Sequence, residues 1–172
     1  CPTGDLDWTS TASNDGLLGT DHDQDGCQDS LEDGDDDNDF SGDASDDCDP
    51  DSGEVSDLGW TSDSSTDYDN DGCQDSTVED GDDDNDGVAD SDDDCALGDL
   101  GWSSDGDTDY DGDGCQDASN EDLDDDNDGA LDDADTDDNN IYECSDSDQD
   151  GCEDCLSGIY DPSNDGADAD GD

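Results

Sequence analysis

The chain of 172 residues carries 64 aspartates and glutamates, no lysine or arginine and one histidine, for a formal net charge of -64. Such a charge repels nucleic acids and anionic membrane surfaces, so both are excluded as electrostatic partners, and cations are the natural ones. Hydrophobic residues make up 24 % of the chain, too few for an ordinary apolar core, and no apolar run is long enough to span a membrane.

Composition alone favours a disordered chain, but two regularities argue against disorder. Nine cysteines recur at ordered intervals, which indicates disulfides and an oxidising compartment, extracellular or at a cell surface. The aspartates alternate with other residues and then meet glycine, and this phasing implies a ligand.

The sequence is an array of four repeats. Three segments, DHDQDGCQDSLEDGDDDND, DYDNDGCQDSTVEDGDDDND and DYDGDGCQDASNEDLDDDND, begin at Asp21, Asp67 and Asp109, and a shortened copy begins at Asp146. Each repeat opens on a cysteine, so the repeats are 1–47, 48–94, 95–143 and 144–172. Four repeats in phase indicate a fragment of a longer array or a subunit that stacks end to end on further copies of itself.

A Trp phrase precedes the aspartate segment in each of the first three repeats: GDLDWTS, SDLGWTS and GDLGWSS, around Trp8, Trp60 and Trp102. No segment has the apolar spacing of a packed helix or the alternation of a half-buried strand, and dense Gly, Asp, Asn and Ser favour turns. We therefore expect little regular secondary structure: tandem turn repeats that wrap metal ions and are stapled by disulfides.

Calcium takes six to eight oxygen ligands, and a loop can supply them from carboxylates at positions 1, 3 and 5, a carbonyl at 7 and acids near 9 and 12, with glycine at 6. Two such loops occur per repeat, so we predict about two Ca²⁺ ions per repeat. The predicted ligands of the first loops, with the cysteine carbonyl at position 7, are Asp21, Asp23, Asp25, Cys27, Asp29 and Glu32; Asp67, Asp69, Asp71, Cys73, Asp75 and Glu79; Asp109, Asp111, Asp113, Cys115, Asp117 and Glu121; and Asp146, Asp148, Asp150, Cys152 and Asp154.

The second loops follow the same pattern. Their predicted ligands are Asp35, Asp37, Asp39, Ser41, Asp43 and Asp46; Asp82, Asp84, Asp86, Val88, Asp90 and Asp93; and Asp124, Asp126, Asp128, Ala130, Asp132 and Asp135. Phe40 replaces the glycine in repeat 1, which makes that loop the weakest match. The second loop of repeat 4 has Asp161, Ser163, Asp165 and Asp172, and the first loop lacks an acid at position 12, so both loops of repeat 4 are candidates only.

Calcium is favoured over magnesium by the number of ligands, because magnesium keeps its waters and rarely takes an all-protein cage. Zinc prefers histidine and thiolate ligands. The one histidine, His22, lies between two loop ligands, where we expect its side chain to point to solvent.

The paired loops resemble thrombospondin type 3 repeats, and the segment DDDNDGVADSDDDC from Asp82 to Cys95 is especially similar to that family's second loop. The Trp phrases look more like the aspartate-rich arrays of prokaryotic surface proteins. The resemblance implies an elongated rod with almost no regular structure. It also implies four disulfides, with Cys155 left over, which could be free or cross-link chains: Cys1 with Cys27, Cys48 with Cys73, Cys95 with Cys115, and Cys144 with Cys152.

We expect a structural protein, a stalk, spacer or filament subunit, and not an enzyme, because the acid pairs have no cleft to hold them. A calcium-buffering or mineral-binding protein would have the same charge but would not need phased glycines or disulfides. An adhesion module would use the Trp phrases, which we otherwise predict to cluster with Leu6, Leu58 and Leu100 over the disulfides. Hydroxyl runs such as Thr9 to Thr11 could carry an O-linked glycan.

Overall fold

The structure is a computed structural model of the chain, and it describes residues 1, 4, 7–11, 20–50, 57–149 and 151–166. These residues contain no α-helix and no β-strand, and only Pro50 has a 3₁₀ conformation. The remainder of the described chain consists of turns, bends and extended connections. No described segment forms a helix that could cross a membrane. The expected lack of regular secondary structure is confirmed.

The chain divides into two compact units, Cys1–Asn85 and Asp86–Asp172. The first holds repeat 1 and most of repeat 2, and the second holds the end of repeat 2 with repeats 3 and 4. The division falls inside the predicted loop from Asp82 to Asp93, so the two parts of that loop are described separately. The elongated rod and the four repeat boundaries stay predictions.

The interior of each unit is made of cysteines and carboxylates. Among the described residues, the buried hydrophobic side chains are Cys27, Cys48, Cys73, Cys115, Ala130, Cys144 and Cys155, whereas sixteen aspartates are buried. Larger apolar side chains lie outside, such as Leu31 at 74 % and Val78 at 90 % exposure. Apolar burial therefore contributes little to folding, and the buried acids require a compensating interaction.

The Trp phrases are only partly sheltered. Trp8, Trp60 and Trp102 are half-buried, whereas Leu58 and Leu100 are 47 % and 48 % exposed. Leu6 lies outside the described residues. The leucines that were predicted to join a cluster over the disulfides thus remain about half in solvent.

Three of the four disulfides implied by the resemblance are confirmed. Each joins the cysteine that opens a repeat to the cysteine after the loop glycine: Cys1 with Cys27, Cys48 with Cys73, and Cys95 with Cys115. Each bond therefore closes a segment of 20 to 26 residues, which restricts the unfolded chain.

The fourth implied disulfide is wrong: Cys144 bonds to Cys155, and Cys152 lies outside the four bonds. The reason is local. Repeat 4 has no Trp phrase, so Cys144 lies only two residues before the loop that starts at Asp146. In that loop the Asp154 N–H donates to the Ser145 carbonyl at 2.8 Å, and this places the next residue, Cys155, beside Cys144 with 5.7 Å between their Cα atoms.

Seven predicted loops share two left-handed backbone positions, counted from the first aspartate of each loop. At position 4 the φ angles of the non-glycine residues lie between 54° and 66°, as in Asn127. At position 6 the glycines have φ between 89° and 101°, and Phe40 takes the same place in repeat 1 with φ 80°. Phe40 therefore adopts the loop conformation although its side chain makes that conformation unfavourable.

Candidate metal centres

The carboxylate at position 1 fastens the turn of the loop. Its oxygen accepts the N–H of the residue at position 6 in five loops, with distances from 3.0 to 3.2 Å. In repeat 2, for example, Gly72 donates to Asp67 at 3.2 Å. Asp67 itself is fully buried, with 0 % exposure. The backbone amides thus hold this carboxylate with its oxygens facing into the loop.

The aspartate at position 9 ties the end of the loop to its beginning in six loops. In repeat 3 the Asp117 carboxylate accepts the N–H of Tyr110, and its own N–H donates to the carbonyl of Thr108, both at 3.1 Å. The same two bonds occur in repeat 2, where Asp75 pairs with Tyr68 and Thr66. These bonds close the chain into a ring around the acids.

The acids at positions 1, 3 and 5 converge. The carboxylate oxygens of Asp21, Asp23 and Asp25 lie within 4.8 Å of one another, and so do those of Asp35, Asp37 and Asp39. Two oxygens that each lie about 2.4 Å from one calcium ion can be at most about 4.8 Å apart. The two sets thus fit around a single ion of that size.

In the second loops the acid at position 12 lies close to the acids at positions 3 and 5. Burial raises the pKa of Asp46 to about 8, and repulsion from Asp37 and Asp39 adds to the rise. In repeat 3, burial raises the pKa of Asp126 to about 6, with repulsion from Asp128 and Asp135. The predicted ligands at positions 3, 5 and 12 of these two loops therefore act on one another electrostatically.

Several buried carboxylate oxygens have no hydrogen-bond partner among the described residues. Asp39 and Asp128 are each 1 % exposed; one oxygen accepts a backbone N–H at 2.6 or 2.7 Å, and the other, Oδ2, has no partner. An unsatisfied buried polar group costs about 1–3 kcal/mol, and more when it is charged. In a chain without lysine or arginine, a bound cation is the compensation that this donor set fits.

An asparagine side chain joins the two loops in each of the first three repeats. Asn38, Asn85 and Asn127, each at position 4 of a second loop, donate their side-chain amides to Asp23, Asp69 and Asp111, respectively. Each acceptor is at position 3 of a first loop. The two loops of a repeat therefore lie side by side with a neutral donor between two acidic clusters.

The acid that approaches the first loop is one that the sequence analysis missed. Asp33 lies with Asp25 within 4.8 Å of the Cys27 sulfur, which is held in a disulfide and is not available as a ligand. The equivalents in repeats 2 and 3, Asp80 and Asp122, are both buried. The signal in the sequence is the acid pair ED in EDG and EDL. The sequence analysis assigns a ligand role to the glutamate of this pair and none to the aspartate.

The glutamate of the ED pair accepts hydrogen bonds from backbone N–H groups outside the cluster of loop acids. The Glu79 carboxylate accepts the N–H groups of Asp57 at 2.6 Å and Gln74 at 3.1 Å. Glu121 likewise accepts from Asp99 at 2.8 Å and Gln116 at 3.3 Å. These glutamates anchor the segment that carries the Trp phrase, and their predicted role as calcium ligands stays a prediction.

Other residues of the same repeat contribute to the environment of some first-loop acids. Burial raises the pKa of Asp69 to about 7, and repulsion from Asp71 and Asp80 adds to it. The hydroxyl of Ser62, the last residue of its Trp phrase, donates to the Asp67 carboxylate, and the hydroxyl of Ser104, the last residue of the next Trp phrase, donates to Asp109 at 2.5 Å. The Trp phrase thus supplies a hydrogen bond to the carboxylate at position 1 of the loop.

Two predictions fall partly outside the structure. The predicted ligands Asp150 and Asp172 lie outside the described residues. In repeat 4, Asp154 is 1 % exposed, and it accepts the N–H of Ser147 at 2.9 Å. Asp165 is 6 % exposed, and its Oδ2 has no hydrogen-bond partner within the described ranges. The carbonyl ligands at position 7 in the other loops stay predictions.

The expectation for His22 is wrong. Its side chain is 3 % exposed instead of pointing to solvent. The Asp29 carboxylate accepts the backbone N–H of His22 at 3.2 Å. Tyr68 and Tyr110 make the same bond in repeats 2 and 3, and Tyr110 is 45 % exposed, so this bond by itself does not bury the side chain at position 2.

Comparisons of the chain with protein-family models, with curated proteins and with solved structures gave no match. The functional argument therefore rests on the loops themselves.

Proposed function

We propose that the protein is an extracellular calcium-binding structural protein, a stalk, spacer or filament subunit whose fold and rigidity depend on bound Ca²⁺. The observation that carries this proposal is the recurring loop, in which three carboxylates converge and buried oxygens lack a hydrogen-bond partner among the described residues. The sequence resemblance to thrombospondin type 3 repeats supports it.

Calcium suits these loops for chemical reasons. The converging side-chain donors are carboxylates, which are hard oxygen ligands, and calcium accepts six to eight of them in an irregular arrangement. The loop sulfurs of Cys27, Cys73 and Cys115 are held in disulfides, so no thiolate from these positions competes for a softer metal.

The proposed ions do two things for the chain. Each offsets two carboxylate charges, and each ties several turns together where an apolar core is missing. Folding free energy is then largely metal-binding free energy. Extracellular modules of this kind bind calcium at roughly 0.1 to 1 mM, so ambient calcium would set the rigidity of the array.

The extracellular location rests on the four disulfides, which persist in oxidising compartments. A structural role rests on the repetition of one loop pair along the sequence. The predicted stacking of further copies end to end belongs to the same proposal.

A matched pair of variants tests the calcium site. Asp128→Ala removes a carboxylate that is 1 % exposed in the second loop of repeat 3, and Asp133→Ala removes an exposed one from the same loop. Equilibrium dialysis against Ca²⁺ at 0.15 M salt should show one ion fewer for Asp128→Ala and no change for Asp133→Ala. Equal binding by both variants would identify an unstructured acidic chain with nonspecific affinity and would refute the proposal.

A further inference from the structure

A second kind of acidic cluster lies between the two loops of repeat 1. The carboxylate oxygens of Asp29, Asp33 and Asp36 are within 4.8 Å of one another. Asp29 is 6 % exposed and Asp36 is 2 % exposed. Neither Asp33 nor Asp36 belongs to the predicted ligand set of a loop: Asp33 precedes the second loop, and Asp36 is at its position 2.

The same three positions are acidic in the other complete repeats, as Asp75, Asp80 and Asp83 and as Asp117, Asp122 and Asp125. The three acidic positions that form the cluster in repeat 1 therefore recur in the sequence of repeats 2 and 3.

A buried oxygen of the middle acid in each set, Asp33, Asp80 or Asp122, points to a ligand. Asp80 and Asp122 are each 7 % exposed. Oδ1 of Asp80 accepts the N–H groups of Gly81 at 2.7 Å and Asp82 at 3.1 Å, and Oδ1 of Asp122 accepts that of Asp124 at 3.0 Å. In both residues, and in Asp33, Oδ2 is buried with no hydrogen-bond partner in the described part of the chain.

We propose that each of the first three repeats holds a third cation, a hard divalent ion such as Ca²⁺, between its two loops. Its ligands are the acid at position 9 of the first loop, the aspartate of the ED pair and the aspartate at position 2 of the second loop. These are Asp29, Asp33 and Asp36; Asp75, Asp80 and Asp83; and Asp117, Asp122 and Asp125. This inference rests on the proposed calcium function and extends it to a site outside the loops.

The acids of repeat 1 divide into two groups. Asp36 lies with Asp29 and Asp33, whereas Asp35 and Asp37 lie with Asp39. Asp33 approaches both Asp25 and Asp36, so its carboxylate reaches the first loop as well as the cluster between the loops. We infer that it bridges the ion of the first loop and the third ion.

Three variants in the second compact unit test the third site: Asp125→Ala, Asp128→Ala and the double variant, with Asp133→Ala as the control. Calcium bound at saturation is counted by equilibrium dialysis at 0.15 M salt, where surface attraction is screened. We expect each single variant to lose one ion relative to Asp133→Ala and the double variant to lose two. Asp125→Ala with the control's count, or a double variant that loses only one ion, would overturn the third site.

The wild-type count provides a second criterion that needs no variant. Two loops in each of four repeats hold at most eight ions, so a saturating count above eight is expected and a count of eight or fewer overturns the third site. If Asp125→Ala does not fold in calcium, Asp125→Asn replaces it. We expect this variant to bind one of its ions at least tenfold more weakly than the control does. Unchanged binding would contradict the proposal. Failure of the proposed function is distinct, because there Asp128→Ala would also keep the control's count.

Discussion

The side-chain amide of Asn127 donates to the carboxylate of Asp111, sixteen residues earlier in the chain, and it also reaches Asp113 at 3.2 Å. Asn127 has φ 54°, so the residue combines a left-handed backbone with a neutral donor between two acidic loops. Asparagine tolerates this conformation better than most residues do. In the sequence DDDND, the asparagine is thus the one uncharged residue, and its side chain joins the two loops.

Asn127→Asp should therefore weaken the pairing of the two loops. The substitution replaces the donor by a carboxylate that faces Asp111 and Asp113, and we expect a loss of about 1–3 kcal/mol in the free energy of unfolding in calcium. Asn127→Gly keeps the left-handed backbone and removes only the donor, so its loss should be smaller. Thermal unfolding at fixed Ca²⁺ measures both, and an Asp variant as stable as wild type would contradict the role of the amide.

Phe40→Gly should stabilise the protein. Phe40 has φ 80°, its side chain is 79 % exposed, and glycine occupies the same place in the other loops. Relief of the left-handed strain is worth about 1–2 kcal/mol, and little packing is lost. Val78→Gly is the control, since Val78 is 90 % exposed and lies outside the positive φ region, so glycine there should destabilise by up to about 1 kcal/mol.

Chemical denaturation in saturating calcium separates the two glycine variants. The midpoint should rise for Phe40→Gly and fall for Val78→Gly. If both midpoints fall, the Phe40 backbone is not strained and the shared loop conformation is not required there.

The pH dependence of stability should reverse when calcium is removed. Without metal, burial raises the pKa of Asp46 to about 8 and those of Asp69 and Glu79 to about 7. The folded chain then binds more protons than the unfolded chain, whose carboxyls titrate near pH 4, so stability falls as the pH rises from about 4 to about 8.

With calcium bound the sign is opposite, because protons compete with the ion for the same carboxylates and acidification releases it. Unfolding followed by circular dichroism between pH 4 and pH 8, with saturating calcium and with chelator, compares the two conditions. The metal-free protein should be most stable at the acidic end and the calcium-loaded protein at the neutral end. Parallel curves would show that the buried acids do not bind the ion.

The disulfide assignment in repeat 4 can be checked on the intact protein. Alkylation without reduction, followed by proteolysis and mass spectrometry, should label Cys152 and recover Cys144 linked to Cys155. Cys152→Ser should leave the four linked pairs unchanged. A peptide linking Cys144 to Cys152 would restore the pairing implied by the resemblance and contradict the geometry around Asp154.

The sequence predicted the features that depend on a residue's position within the repeated segment. The acids at positions 1, 3 and 5 and the left-handed turn at position 6 are local consequences of the repeated segment. The absence of regular structure followed from composition. The pairing of the three disulfides after the loop glycine came from the resemblance to thrombospondin type 3 repeats, since each bond joins cysteines 20 to 26 residues apart.

What the sequence did not predict depends on contacts between loops. Asp80 and Asp122 are buried because the second loop lies beside the first, and nothing in the pair ED indicates which acid faces inward. His22 is buried, whereas Tyr110, which makes the same backbone bond at position 2, is 45 % exposed, so the repeated pattern does not indicate which side chain at that position faces inward. Cys155 replaces Cys152 because the Trp phrase, which separates the opening cysteine from the loop elsewhere, is absent from repeat 4.

The dependence of the fold on calcium is tested most directly by small-angle X-ray scattering of the oxidised protein at constant ionic strength, with calcium, with chelator and after calcium is restored. We predict that chelation increases the radius of gyration, that calcium reverses the change, and that an equal concentration of magnesium does not. A radius of gyration that is the same with calcium and with chelator would contradict the account, because the buried acids would then be compensated without the ion.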